Sequence, residues 1–465
     1  MKTFYSIATS AAWTIASSGL LLSWSGLPVQ AANPAACVSN FDASTDYFPD
    51  KSEVTLSQQY TLEYHNNYKI VTVPSSEASY LLVQCGTTLP ESVNQSAFTH
   101  VMTIPLTSFG ATTSTFIPFF EQLGLRHLQV AHQGQADFFV GACFNELVDD
   151  GEITLVDPSS GGINNETYIA ELGIPQDTPF FVGPFDPSSM DTNIIVSEYT
   201  DRSNLAVYEW IKYFGVFFNK EKEANAAFDT AKARYECASD NAELLQANVA
   251  ETDKPTVVWA SYSDFPGFEG FYSANACPNY YCEVAEICGA NLLIRAGSMN
   301  ISAFLEFASE ADIWMYSGTN VQTALNLFPE LQNLTAVQSG QVFDINGHGE
   351  DAWLNDRQVE PDALLEDFCH MVGTDNPDSP HDPAFLRNID NPEKTVGECT
   401  DQCNPYNRLG SICEPIGSVV ASAEADSTEL PQNCAPQDTS SAPPQNPRSI
   451  VAITACVLSA VVMLI

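Results

Sequence analysis

The chain has 465 residues, 45% of them hydrophobic, and 58 acidic side chains against 17 basic ones, a formal charge of −41. That length accommodates two or three domains with full cores. The acidity excludes nucleic acid as a partner, because phosphate binding needs concentrated Lys and Arg, and it favours solubility outside the cell.

In chain order, residues 1–31 read as a secretory signal: Lys2, an apolar run at "SGLLLSWSGL", and a small-residue cleavage site at Val29-Gln30-Ala31. A Cys-containing N-terminal extension follows over 32–60. An N-terminal lobe is expected over 61–204. Within it "YKIVTV" (68–73) and "YLLVQC" (80–85) have the β-branched, aromatic make-up of buried strands. "HVMTIPL", "PFFVGPF" and "NIIVSEY" continue the strands. "TTSTFIPFFEQLG" reads as a short helix opened by small hydroxyl residues and ended by Gly124. Strands interleaved with helices point to an α/β lobe with a largely parallel sheet.

From Leu205 apolar residues recur at helical spacing through Val207, Trp210, Ile211, Phe214, Phe217, Phe218, Ala224, Phe228, Ala231 and Tyr235. One linker helix is expected over 205–240, ending near Ser239-Asp240-Asn241. About 33 residues at 1.5 Å each would reach roughly 50 Å, far enough to join one lobe to another.

A C-terminal α/β lobe is expected over 241–374. Its strands are "PTVVWAS", "NLLIR", "DIWMYS" and "QVFDI", with helices around 280–288, 301–309, 319–328 and 361–372, the last opening on Pro361. Residues 375–417 read as an appendix stapled by Cys399, Cys403, Cys413 and Cys434, and 418–449 as a flexible stalk. The apolar tail over 450–465 is shorter than the roughly 20 residues a spanning helix needs. It follows a polar spacer and ends without a basic flank. That pattern fits a lipid-anchor signal, with a short transmembrane tail as the alternative; either tethers the bulk of the chain outside the cell.

Thirteen cysteines agree with an oxidising compartment, and setting aside Cys456 in the tail leaves twelve, enough for six disulfides. No CxxC pair favours zinc. Four sequons, at Asn94, Asn165, Asn300 and Asn333, fit a eukaryotic secretory route with glycosylation.

The stretch "SYSDFPGFEGFYSANACPNYYC" (261–282) holds seven rings together with Pro266, Gly267, Gly270 and Pro278, and reads as a long loop. It follows the strand "PTVVWA", at the end of a parallel strand where such sheets bind ligands. Its rings are expected to form a cleft wall between the lobes.

Four segments, in this order, resemble the substrate-binding proteins of bacterial importers for ferric siderophores and cobalamin, the two-lobed kind with a single helical hinge. They are "IPLTSFGATTSTFIPFFEQLG", "SEYTDRSNLAVYEWIKYFGVFFNKEKEANAAFDTAKARY", "SEADIWMYSG" and "VQSGQVFDINGHGEDAWLNDRQVEPDALLEDF". The similarity covers roughly 60–372, with Glu209-Trp210-Ile211-Lys212 its most specific part. It implies two Rossmann-like lobes joined by one long helix, and a bound ferric siderophore with no covalent cofactor. Secreted, anchored relatives in diatoms resemble ferrichrome-binding receptors. Pro118 falls where importer-docking relatives carry a Glu, which implies delivery to a surface reductase or to endocytosis instead of a bacterial permease.

The resemblance also implies rings and a few donors around the ligand. The ring candidates are Trp259, Tyr262, Phe268, Tyr272 and Trp353. Arg202, Arg295 and Arg357 are candidate donors, each guanidinium a rigid fork. Ser108, Thr112, Thr113 and Ser114 could donate from across the cleft, or serve as plain helix caps. Cobalamin, haem and a bare metal ion are the rival ligands; for the last, His127, His132 and His348 with Glu350 and Asp351 show no characteristic ligand spacing. No GxSxG, HExxH, GxGxxG or phosphate-cradling motif supports an enzyme. An adhesive surface protein fits the anchor and stalk but not the lobe-helix-lobe order.

Overall fold

The structure, a computed structural model, describes residues 32–134, 142–183, 193–264, 270–274, 276–318, 320–395 and 408–417. The signal segment, the stalk, the apolar tail, Phe268, Cys399, Cys403 and Cys434 lie outside the described residues. Two α/β lobes are joined by one long helix.

The N-terminal lobe is built on a five-stranded sheet in the order Thr154–Val156, Gln129–Gln133, Phe109–Ala111, Phe180–Val182, Ile194–Ile195, every pair parallel. Its central strands are buried on both faces, which is why "FGA" and "FFV" show no polar alternation. Residues 61–104 depart from the expectation of one parallel sheet. Thr61–Tyr64, Tyr68–Val73 and Ala78–Gln84 form an antiparallel meander, and only His100–Ile104 joins it in parallel. The strict in-out alternation of "YKIVTV" marks a sheet with one covered face. That meander shares a single core with the parallel sheet, and Cys37–Cys85 ties the N-terminal extension to it.

The C-terminal lobe has the order Ser298–Met299, Phe271–Ala274, Thr256–Ser263, Ile313–Tyr316, Val342–Asp344, Arg387–Asn388, with Asn291–Leu293 also pairing the central strand. Its middle is parallel and its edges antiparallel. The helix Pro361–Val372 begins and ends where the sequence predicts, closed by Gly373 at φ 79°.

The linker is not one helix from Leu205. Short helices Asn204–Tyr208 and Trp210–Val216 precede the long one, Glu221–Gln246. The break has local causes. Asn219 turns the chain at φ 57°, and Lys69, fully buried, donates to Val216 O and Asn219 Oδ1 at 2.8 Å and pairs with Glu221. Gly215 permits the tight return, since a Cβ there would meet Ala224 Cβ at 3.0 Å. The remaining helix, 26 residues and about 39 Å, still serves both lobes. Ala224, Phe228 and Ala231 lie in the N-terminal core; Tyr235, Ala238 and Ala242 lie in the C-terminal one.

Cys413 does not staple an appendix of its own. It pairs with Cys237 on the linker helix, as part of a strap over 408–417. Arg408 donates to Asp362 at 3.1 and 2.6 Å, and the Leu409 and Gly410 N–H groups donate to Glu360 at 2.7 and 2.8 Å. Only glycine fits at 410, where a Cβ would lie 2.3 Å from that of Ala363. Asn241 and Asn376 donate to Glu414 O at 2.9 and 2.8 Å. Cys277–Cys282 and Cys288–Cys369 close two further loops of this lobe.

Replacing both Cys237 and Cys413 by Ser should lower stability by about 2–4 kcal/mol, read as a drop in melting temperature. Limited proteolysis should then cut first within 408–417. An unchanged melt would show that the strap holds through its polar contacts alone.

Candidate functional site

The ring-rich stretch is not loop throughout. Residues 261–263 end the strand Thr256–Ser263, which pairs antiparallel with Phe271–Ala274, Tyr262 opposite Tyr272; Phe265 and Phe268 lie outside the described residues. Trp259 is fully buried, stacked on Phe368 (5.7 Å, 12°) with Tyr281 edge-on at 4.1 Å. Tyr272 is also buried and stacks on Phe304 at 4.1 Å and 2°. Half-buried Tyr262 packs against Tyr272 and Phe328. Trp259 and Tyr272 are core of the C-terminal lobe rather than a cleft wall, and Tyr262 packs at the margin of that core. Burial of large aromatic area drives them inward, and the hairpin supplies the backbone pairing a loop would lack.

Of the candidate cations, Arg202 and Arg295 are exposed, the latter over the Phe307 ring at 5.9 Å. Arg357 differs. It is 9% exposed and lies between the Tyr280 ring at 4.4 Å and the Trp353 ring at 4.9 Å, and its Nε is buried with no hydrogen-bond partner. Both its neighbours come from the C-terminal lobe. The following Val359 is already in the N-terminal core, and Gln122 donates to its carbonyl at 3.2 Å, so Arg357 sits at the seam between lobes.

The facing side is built from the carboxyl ends of the N-terminal strands. Thr112, Thr113 and Ser114 are half-buried there, between the strand Phe109–Ala111 and the 3₁₀ turn Ser114–Phe116; Ser108, also half-buried, stands at the amino end of that strand. Thr113 makes no side-chain cap bond, and Thr112 Oγ1 accepts from Gly183 N at 3.3 Å. The helix Glu350–Asn355, which carries Trp353, packs on that turn.

Three residues of the seam escaped the sequence reading. Glu198 directly follows the last strand, Ile194–Ile195, on a 3₁₀ turn, and is 3% exposed. Thr115 donates to its Oε1 at 3.2 Å, while Oε2 is buried without a partner. Ser197 Oγ and Gln358 Oε1, both buried, also lack partners. The available signal was "IIVSE", polar residues placed immediately after a buried parallel strand.

Burial pushes the Glu198 carboxyl up to about 7, against the opposing pull of its backbone and Thr115 hydrogen bonds and of the Arg357 charge. Tyr199 beside it, 40% exposed, is raised to about 12 by burial and then by Glu198. Such a group, desolvated and incompletely bonded, marks a functional site more often than a structural one.

The metal candidates do not converge. His127 is exposed; His132 is buried, its ring 3.1 Å from the Gln129 amide and pushed down to about 3 by burial. The His348 ring contacts Ala384 O at 2.8 Å, and burial raises Asp351. Among the described residues no group of three or more His, Cys, Asp or Glu side chains is placed to hold a metal ion.

No family model matches the chain. An uncharacterized lipoprotein of Methanocaldococcus jannaschii is 26% identical over 160 residues, 33% of this chain and 36% of that one. The chain thus spans about a third of the length of the curated relative it matches. Solved structures similar in fold include a periplasmic heme binding protein from Pseudomonas aeruginosa (13% identity, 63% of this chain and 100% of that one, TM-score 0.43). Others are a periplasmic binding protein from Veillonella parvula (11%, 68% and 97%, 0.41) and FhuD2 from Staphylococcus aureus with bound ferrioxamine B (14%, 57% and 99%, 0.39). The two-lobed, helix-joined architecture stands on the strand order and linker described above rather than on these matches.

Glu198 binds a proton more tightly folded, at about 7, than at its usual 4.5, so folding stability falls as pH rises between those values. Glu198→Gln removes the charge that burial opposes. Near pH 8 it should be more stable than the wild type by about 2–3 kcal/mol, with the gap closing below about pH 4.5. Denaturant melts at both pH values check this; an equal gap at acid pH would contradict it.

Proposed function

We propose that the chain is a cell-surface solute-binding receptor for a ferric siderophore, of the hydroxamate type by preference. It binds its cargo and does not convert it. The observation that carries this reading is Arg357, a permanently charged fork held between two rings at the lobe seam with hydrogen-bonding capacity unspent. A ferric chelate has satisfied its own metal. It needs donors for the ligand oxygens and apolar surface for its scaffold, which Arg357, Trp353 and Tyr280 supply. In this reading Thr112, Thr113 and Ser114, just past the carboxyl end of Phe109–Ala111, donate from the other lobe; Ser108, at the amino end of that strand, is the weaker candidate. The chain's charge of −41 repels triply anionic catecholates more than neutral hydroxamates.

The four segments that resemble siderophore-binding proteins point the same way, and so does the lobe-helix-lobe order. Asn94, Asn165, Asn300 and Asn333 are all exposed, as glycan acceptors must be. Three of them accept a helix-capping N–H through Oδ1, a bond that N-linked attachment leaves in place. In this reading a lipid anchor tethers the receptor, and cargo passes to a surface reductase or to endocytosis. Pro118, buried in the first turn of Ile117–Gln122, offers no carboxylate to a permease.

The test is to mix the purified protein with ferrichrome, ferrioxamine B, cobalamin and haem, desalt it, and read the retained chromophore. Ferrichrome should be retained and should quench tryptophan fluorescence. Arg357→Ala should weaken binding about a hundredfold, and Arg357→Lys about tenfold, because charge remains but the fork is lost. Retention of haem or cobalamin alone would change the cargo class, and retention of none would end the receptor reading.

A further inference from the structure

Glu198 and Arg357 lie near enough at the seam for the Arg357 charge to act on the carboxyl. The carboxyl spends Oε1 on Thr115 at 3.2 Å and leaves Oε2 buried and unpartnered; the guanidinium leaves Nε buried and unpartnered. Their charges interact, yet no ion pair joins them among the described residues. The Arg357 guanidinium lies over the Tyr280 ring at 4.4 Å and the Trp353 ring at 4.9 Å, contacts that favour this position. The seam therefore holds one fixed positive charge and one group that can be either an acceptor or a donor.

We propose that cargo and one proton enter this seam together, the proton residing on Glu198 Oε2. The inference deepens the receptor reading and rests on it. A ligand oxygen hydrogen-bonded to Arg357 arrives beside Glu198. If the carboxyl is ionised, two acceptor oxygens meet in a desolvated place with no hydrogen between them, which costs affinity. If it takes a proton from solvent, Oε2–H donates to the same ligand oxygen, and the opponent becomes a second donor. Asp201, which ends the Glu198 turn, is also raised by burial, but it accepts hydrogen bonds from Ser57 and Trp210. Tyr199 on the same turn is held up at about 12, and the only titratable side chain of the adjoining helix Asn204–Tyr208 is Tyr208, raised far out of range by burial. Tyr280 beyond Arg357 is raised too. On the helix Glu350–Asn355 that packs on Thr115's turn, Asp351 is raised by burial but is a separate half-buried carboxyl.

The consequence is a receptor that loads in acid and neutral water and lets go in alkaline water. With Glu198 titrating at about 7, affinity is flat below that pH and falls about tenfold for each unit above it. Ferrichrome is the probe, since its iron is held by hydroxamates that do not titrate in this interval.

Calorimetry of the full chain with ferrichrome, near pH 8 and in two buffers of different ionisation enthalpy, should show uptake of about one proton per ligand. The dissociation constant should rise about a hundredfold between about pH 7 and about pH 9. Glu198→Gln should bind with no proton uptake and no slope. The infrared band of a protonated carboxyl should grow when ferrichrome is added to the wild type near pH 8, and should not grow in the variant. Binding without proton uptake, or a slope that survives Glu198→Gln, overturns this inference and leaves the receptor reading intact. Absence of binding at every pH removes both.

Discussion

The lobes are held at a set distance because the helix Glu221–Gln246 is part of two hydrophobic cores at once, its first half in one and its second half in the other. Each half is then fixed by polar contacts that a hydrophobic stripe alone would not provide. At the start, the buried Lys69–Glu221 pair is completed by Asn33 on Glu221 at 2.8 Å and by the Val216 carbonyl. Taking such a pair out of water contributes little net stability, but it penalises any register in which the partners miss one another. In the second half, the Cys237–Cys413 bond and the Asn241 side chain, bonded to Glu414 O and Ile416 N, do the equivalent work. Rotation of the helix about its axis is opposed at both ends, so the two faces of the seam keep their register.

Against that background Glu198 and Glu366 differ from the other buried carboxylates, since burial pushes both up to about 7. Glu209 accepts backbone N–H bonds from Thr55, Leu56 and Ser57 at 2.7–2.8 Å and one from Lys212 at 2.9 Å, and these hold it below the usual range although burial pushes the other way. Asp367 accepts from the N–H groups of Ala384, Phe385 and Leu386 as well as from His381. Glu360 takes two from the strap. Those three take most of their bonds from backbone donors. Glu198 and Glu366 each keep one buried oxygen without a hydrogen-bond partner, and the ring of His381 lies 3.6 Å from that oxygen of Glu366 within its own lobe. Placement separates the two: Glu198 lies where the lobes meet, and that makes it the candidate for chemistry.

Much of the scaffold was legible because single-residue chemistry decides it. Hydrophobic runs gave strands at 68–73, 80–85 and 313–316, and Pro361 with Gly373 bracketed a helix to the residue. What misled was each place where tertiary partners overrule local pattern. An amphipathic stripe continues from Leu205 past Phe218, yet Lys69, distant in sequence, captures Val216 O and breaks the helix there. Gly and Pro in 261–282 argued for a loop, while residues 261–263 and 271–274 pair as strands, with Tyr262 opposite Tyr272 and Tyr272 stacked on Phe304. Rings counted as cleft wall are core for the same reason: their area is worth more against one another than against a ligand. Arg357 and Trp353 were legible as candidates. Glu198 was not, because in a chain with 58 acids no carboxylate is conspicuous until its hydrogen bonds are counted.

Among the described residues three segments reach both cores: the helix Asn204–Tyr208, the linker helix and the segment around Val359; the strap grips the last two. Cys413 holds the linker helix, and Arg408, Leu409 and Gly410 hold Glu360 and Asp362 just past Val359. A bilobal protein clamped at two of these segments has little room for wide opening, and a helical hinge adds stiffness of its own. Under that constraint the difference between the loaded and the empty seam has to lie in side chains and protons more than in lobe rotation. Glu198 and Arg357, an ionisable pair left unclosed at the seam, are a place where such a difference can be expressed at little structural cost.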